Sequence, residues 1–133
     1  MLKIFFVDLT HTYITLANGT FPLGAAYVAS YIKEVLGDDV DITLFKYPEK
    51  LEEKIGAGDY PDVFMYSSYL WNEYLGAAFA KEIKRVSPKT LVISGGPNIS
   101  KESDKQKKFL EKNSFIDFFI LNEGGVASAE LLY

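Results

Sequence analysis

At 133 residues, 48% of them apolar and 15% aromatic, the chain is long enough for one domain that buries roughly two-thirds of the surface its unfolded form exposes, and too short for a second. A net charge of −4 and the absence of cysteine exclude several classes together: no basic stripe for a phosphate backbone, so no nucleic-acid partner is expected, and no disulfide, thiolate metal site, iron–sulfur ligand or cysteine nucleophile. The apolar opening run is too short, and too soon followed by Asp8, for a signal peptide, and nothing approaches the length of a membrane span, so the expected location is the cytoplasm.

Strand-like apolar runs alternate with amphipathic segments along the whole chain. Residues 2–8, rich in Ile and Phe, read as the first strand, followed by a long polar stretch over residues 9–21. Pro22 is placed at the first helical position, and Leu23, Ala26, Tyr27, Ser30, Tyr31 and Val35 recur at helical spacing until Gly37 stops the helix. Residues 40–46 alternate as a second strand. Pro48 starts a short helix with Leu51 and Ile55 inward, ending in Gly56, Gly58 and Pro61.

Residues 62–67 read as a third, buried strand, after which Leu75, Ala78, Phe79, Ile83 and Val86 form the apolar stripe of a helix ended by Pro88. Residues 90–94 give the fourth strand, broken by Gly95-Gly96-Pro97 before a lysine-rich helix with Ser103 and Gln106 as its expected capping box. Residues 116–121 form a fifth strand. Glu123-Gly124-Gly125 then leads into a fifth helix over residues 126–133, which the spacing suggests is truncated, the chain being a fragment of a longer one. Five strands alternating with helices predict an α/β fold, a flavodoxin-like (Rossmann-like) three-layer sandwich with a parallel sheet of order 2-1-3-4-5.

In such sheets a site lies beyond the carboxyl ends of the strands. Those ends carry Asp8, Thr10 and His11 after the first strand, Ser67 and Ser68 after the third, Gly95 and Gly96 after the fourth, and Asn122, Glu123 and Gly124 with Gly125 after the fifth. Small residues there let a large ligand approach backbone amides, although glycine pairs also serve as ordinary turns. A phospho-receiver needs an aspartate ending the third strand and a lysine ending the fifth, where Ser67 and Asn122 stand. A flavodoxin needs a small phosphate-cradling first loop, and Thr10-His11-Thr12-Tyr13 is bulky for one. The paired carboxylates Asp38-Asp39 and Glu52-Glu53 fall in a turn and on a helix, as solvated charge does. No residue is assigned a catalytic or metal-ligating role, and no turnover is expected of this chain alone.

The stretches Phe21-Pro22-Leu23-Gly24-Ala25-Ala26-Tyr27, Ser67-Ser68-Tyr69-Leu70-Trp71-Asn72, Val92-Ile93-Ser94-Gly95-Gly96-Pro97 and Asn122-Glu123-Gly124-Gly125 together resemble the cobalamin-binding domain that precedes the radical-SAM barrel in many methyltransferases and cyclases. The resemblance spans nearly the whole chain. It implies cobalamin as cofactor and partner, contacted by Asp8, Thr10, Ser67, Ser68, Tyr69, Trp71, Gly95, Gly96, Pro97, Asn122, Glu123 and Gly124, with either serine facing the nucleotide tail. It also implies that S-adenosylmethionine and an iron–sulfur cluster belong to a downstream radical-SAM barrel of the parent chain. In methyltransferase members, methylcobalamin donates a methyl group to a substrate carbon made reactive by the adenosyl radical.

Two departures stand out. The branch that ligates cobalt from below carries Asp-x-His-x-x-Gly, whereas Asp8-Leu9-Thr10 puts threonine at the ligand position, Tyr13 where the glycine belongs, and His11 one residue out of register. Cobalamin bound here is therefore expected to lack a histidine ligand. Gly125 stands where the family commonly has a second glutamate. Trp71 is left between two roles, an indole shielding the lower face of cobalt and an aromatic packed on the neighbouring helix, while Glu123 is expected to favour the amino end of the fifth helix. The same fold without cofactor, as an interaction or substrate-recognition domain, is the alternative.

Overall fold

The computed structural model describes residues 1–13 and 19–133; part of the polar stretch assigned to residues 9–21 lies outside the described residues. The strands are β1 (Leu2–Val7), β2 (Val40–Phe45), β3 (Val63–Ser67), β4 (Leu91–Gly95) and β5 (Phe118–Ile120), and the helices α1 (Leu23–Leu36), α2 (Pro48–Gly56), α3 (Glu73–Val86), α4 (Ser103–Lys112) and α5 (Gly124–Leu132). The five strands form one sheet of order β2-β1-β3-β4-β5, parallel at every pairing. This is the predicted flavodoxin-like α/β fold, with boundaries shifted by one or two residues at most strand and helix ends.

The sheet separates two apolar layers because alternate side chains of each strand point to opposite faces. Phe5, Val7, Phe64, Tyr66 and Val92 pack against Leu51 of α2 and Ala80 and Ile83 of α3. Ile4, Phe6, Met65, Ile93 and Ile120 pack against Ala25 and Ile32 of α1 and Ala129 of α5. Both faces of β3 are buried, which explains its unbroken apolar run. Among the described residues no helix is long and apolar enough to cross a membrane.

Local expectations are corrected at several points. The α1 stripe is rotated: Leu23 and Tyr27 are exposed, as is Val35, while Ala25 and Ile32 are buried with Val28, Ala29 and Tyr31 against them. The helix is apolar around most of its circumference, so spacing alone offered two faces. Pro22 caps α1 from outside rather than opening it, its carbonyl accepting Ala26 N at 3.0 Å. On α3 the residues closest to the sheet are Gly76, Ala80 and Ile83, and Ala78 faces solvent. The capping box on α4 does not form: Glu102 is the cap, without a side-chain hydrogen bond, and Gln106 Nε2 donates to Ser100 O at 2.8 Å. Gln106 reaches out of the helix because the loop before it folds back toward the sheet edge.

Candidate functional site

Ligand sites of such sheets lie at the carboxyl ends of the strands, and here that edge opens over β3, β4 and β5, with α1 along one side, into a cleft of about 710 Å³. Its floor is apolar, from Phe6, Met65, Ile93 and Ile120. The strand ends contribute Ser67, Tyr69, Gly95, Gly96 and Pro97, and the loop after β5 contributes Asn122, Glu123 and Gly124. Eight of the twelve residues assigned from sequence thus share one cavity.

The other four stand outside it. Ser68 is buried and tied by its backbone N to Gly95 O at 2.7 Å, so of the two serines Ser67 is the one at the cleft. Thr10 is also buried, its N donating to Lys46 O at 3.0 Å. Asp8 is half-buried and accepts from Asn72 Nδ2 at 2.9 Å. Burial pushes the Asp8 carboxyl above its ordinary value, opposed by the Asn72 hydrogen bond and by the Lys46 charge. Trp71 stands beside the cleft, half exposed, its ring stacked on Tyr69 with centroids 4.5 Å apart and planes 8° from parallel. This aromatic pair joins Trp71 to the cleft through Tyr69.

The remaining walls were not assigned from sequence. Gly24, Tyr27 and Val28 of α1 form one side, and Ser100, Lys101 and Gln106 from the end of the β4 loop and from α4 form another. Lys101 lies in the loop just before α4, and the fold brings it to the sheet edge. Asn122 adopts φ of 59°, a left-handed conformation tolerated by asparagine, which turns the chain from β5 into α5. Glu123 occupies the cap position of α5 but makes no capping hydrogen bond.

His11 and Gly125 receive positions. His11 Nε2 lies 2.8 Å from Trp71 O; since a carbonyl only accepts, that nitrogen carries the proton and faces the β3 loop. Gly125 is buried where α5 crosses α1, against the rings of Tyr27 and Tyr31. A glutamate there would push a charge between two aromatic rings. Among the described residues no group of three or more His, Asp or Glu side chains stands together as a metal site.

No protein-family model matches the chain. Two curated proteins are similar to it. The cobalamin-dependent radical SAM methyltransferase TokK of Streptomyces tokunonensis is 39% identical over 72 residues, 54% of this chain and 10% of that protein. The 2-(S-pantetheinyl)-carbapenam-3-carboxylate methyltransferase of Streptantibioticus cattleyicolor is 28% identical over 134 aligned positions, 98% of this chain and 18% of that protein. The chain therefore spans less than a fifth of the length of either relative.

Proposed function

We propose that this chain is the cobalamin-binding module of a radical-SAM methyltransferase, with the nucleotide tail in the cleft, the corrin across the carboxyl ends of the strands, and no histidine beneath cobalt. The observation that carries the reading is the cleft itself: about 710 Å³ with an apolar floor and a polar rim at the carboxyl ends of β3, β4 and β5. The likeness along 98% of the chain to a methyltransferase, and along 54% of it to a cobalamin-dependent one, supports it.

The residues present fit the cofactor. A cleft of this size takes a drug-sized group, the scale of the nucleotide tail, and leaves the wider corrin resting on the rim beside Tyr69 and Trp71. Ser67, Ser100 and Asn122 offer hydroxyl and amide partners to the sugar and base, and Lys101 offers a cation to the phosphodiester. The single histidine of the sequence has its protonated Nε2 directed at Trp71 O, which supports a cofactor without a histidine ligand. When bound, cobalamin supplies methyl-carrying chemistry. This chain binds and orients it, while the adenosyl radical and the substrate site belong to a further part of the parent protein.

Mixing the purified chain with hydroxocobalamin tests the reading. Retained cofactor after desalting, with a shifted visible spectrum, is the expected result; an unchanged spectrum and complete loss on desalting count against it. The exposed apolar side chains flanking the cleft, Leu23 at 73% and Leu70 at 83% of full exposure, favour as a second reading a cofactor-free interaction or recognition domain. Crystals grown in excess cobalamin with an empty, collapsed edge would support that alternative.

A further inference from the structure

Asn72 occupies the cap position of α3, where an asparagine ordinarily accepts a hydrogen bond from the first helical turn, yet its side chain makes no such bond. Its hydrogen bonds lead to the β1 loop and back to Tyr69 instead. Oδ1 accepts from Tyr69 N at 2.9 Å, and Nδ2 donates to Asp8 Oδ1 at 2.9 Å and to Leu9 O at 3.1 Å. The residue is 1% exposed, its bond to Leu9 O is buried and the other two are partly buried, so water competes poorly for the amide. Between Tyr69 and Asn72 sits Trp71, whose carbonyl accepts from His11. The β3 loop is thereby fastened to the β1 loop through two adjacent residues, Trp71 by its backbone and Asn72 by its side chain.

We propose that Asn72 is a positioning residue that holds the stacked Tyr69–Trp71 pair as a fixed plate at the rim of the cleft, set by the fold before any ligand arrives. A half-exposed aromatic stack on an unfastened loop exchanges between arrangements; closing the loop on a buried amide selects one. That a corrin meets this plate rests on the cobalamin reading, whereas the plate is a property of the free chain.

The sequence has one tryptophan, so fluorescence of the full chain excited at the red edge of the indole band, beyond tyrosine absorption, reports Trp71 alone. Acrylamide quenching and near-ultraviolet circular dichroism are measured for Asn72→Ala, Asn72→Asp and Asp8→Asn, with Tyr69→Leu as the reference for a lost stack and far-ultraviolet circular dichroism as the check on folding. Asp8→Asn keeps an oxygen that accepts from Asn72 and retains the parent signature. Asn72→Ala raises the quenching constant roughly twofold, from the 49% exposure of Trp71 to full exposure once the loop opens locally, and its near-ultraviolet spectrum approaches that of Tyr69→Leu. Asn72→Asp does the same at neutral pH, because its carboxylate has no donor and faces Asp8. Acidification returns a donor, and the parent signature recovers in this variant but not in Asn72→Ala. A folded Asn72→Ala or Asn72→Asp with parent quenching and dichroism at neutral pH overturns the proposal, as does failure of both to fold, which would make the role purely structural. Loss of hydroxocobalamin binding in the parent chain would end the functional reading and leave this result standing.

Discussion

A Cβ on Gly96 would stand 2.5 Å from the carbonyl oxygen of Ser68. The two loops that frame the cleft, after β3 and after β4, therefore meet backbone to backbone, and Ser68 N closes the contact on Gly95 O at 2.7 Å. Gly96 also holds φ at 120°, a conformation that side chains strain to adopt. Clash and strain act together, so Gly96→Ala is expected to cost about 3 kcal/mol. Gly95→Ala, whose new methyl would find its nearest neighbour, Ile120 O, at 3.6 Å, is expected to cost less than about 1 kcal/mol. Denaturant midpoints at unchanged m report both values; equal costs would refute the account.

Gly76 on α3 lets that helix approach β3. An added Cβ would lie 2.6 Å from Tyr66 Cδ2, and Tyr66 is 3% exposed, with no room for the ring to swing aside. Alanine gains up to about 1 kcal/mol of helix propensity over glycine, but overpacking a core costs about 1–3 kcal/mol. The net expectation for Gly76→Ala is a loss. Tyr66→Leu removes the ring atoms that clash, so the double variant should be more stable than the two single costs predict, by about 1 kcal/mol. Additive costs in a double-mutant cycle would place the strain elsewhere.

The parts of this architecture that were legible in sequence are those written locally. β3 announced itself by an unbroken apolar run, and the strict alternation of strands and helices pointed to a parallel sheet because sequential parallel strands need a covering connection between them. Part of the cleft, Ser67, Gly95, Gly96 and Gly124, was visible as small side chains at or just beyond predicted strand ends. The inward face of α1 was not, since Leu23 and Tyr27 are as apolar as the buried Ala25 and Ile32, and packing on α5, β2 and β1 decides between them. Asn72 belongs to the stretch over residues 67–72 that carries the resemblance, but its own role is not written there. At a helix start an asparagine reads as a cap, and its partner Asp8 is 64 residues away.

Asp8 gives the chain a pH dependence of definite sign. Burial raises its pKa in the fold above the ordinary aspartate value of 3.8, so the folded state binds the proton more readily than the unfolded state. Between those two values stability falls as pH rises, and the penalty is complete above the raised one. Asp8→Asn removes the ionisation and keeps an acceptor for Asn72. It should therefore be at least as stable as the parent at neutral pH, with the difference shrinking as pH falls toward 3.8. Denaturation curves of both proteins across the acid range measure this; a difference that grows toward low pH would contradict the sign.

Cleft and cofactor can be separated from fold by filling one without disturbing the other. Gly95 closes β4 and lines the cleft, and the atoms nearest a Cβ there lie at ordinary contact distance. A β-branched side chain suits a strand, so Gly95→Val should fold with a stability within about 1 kcal/mol of the parent, while its two methyl groups enlarge the wall of the cleft. If the nucleotide tail occupies that space, hydroxocobalamin affinity should fall at least about tenfold, or 1.4 kcal/mol. Ser68→Ala is the matched control: Ser68 belongs to the same edge but is buried outside the cleft, so its binding curve should overlay the parent's. Equal affinity in Gly95→Val and the parent would move the tail out of the cleft. A loss in Ser68→Ala as large as that in Gly95→Val would show that the edge responds to any disturbance of the two loops, because the Ser68 N to Gly95 O bond that joins them is a backbone bond that alanine keeps.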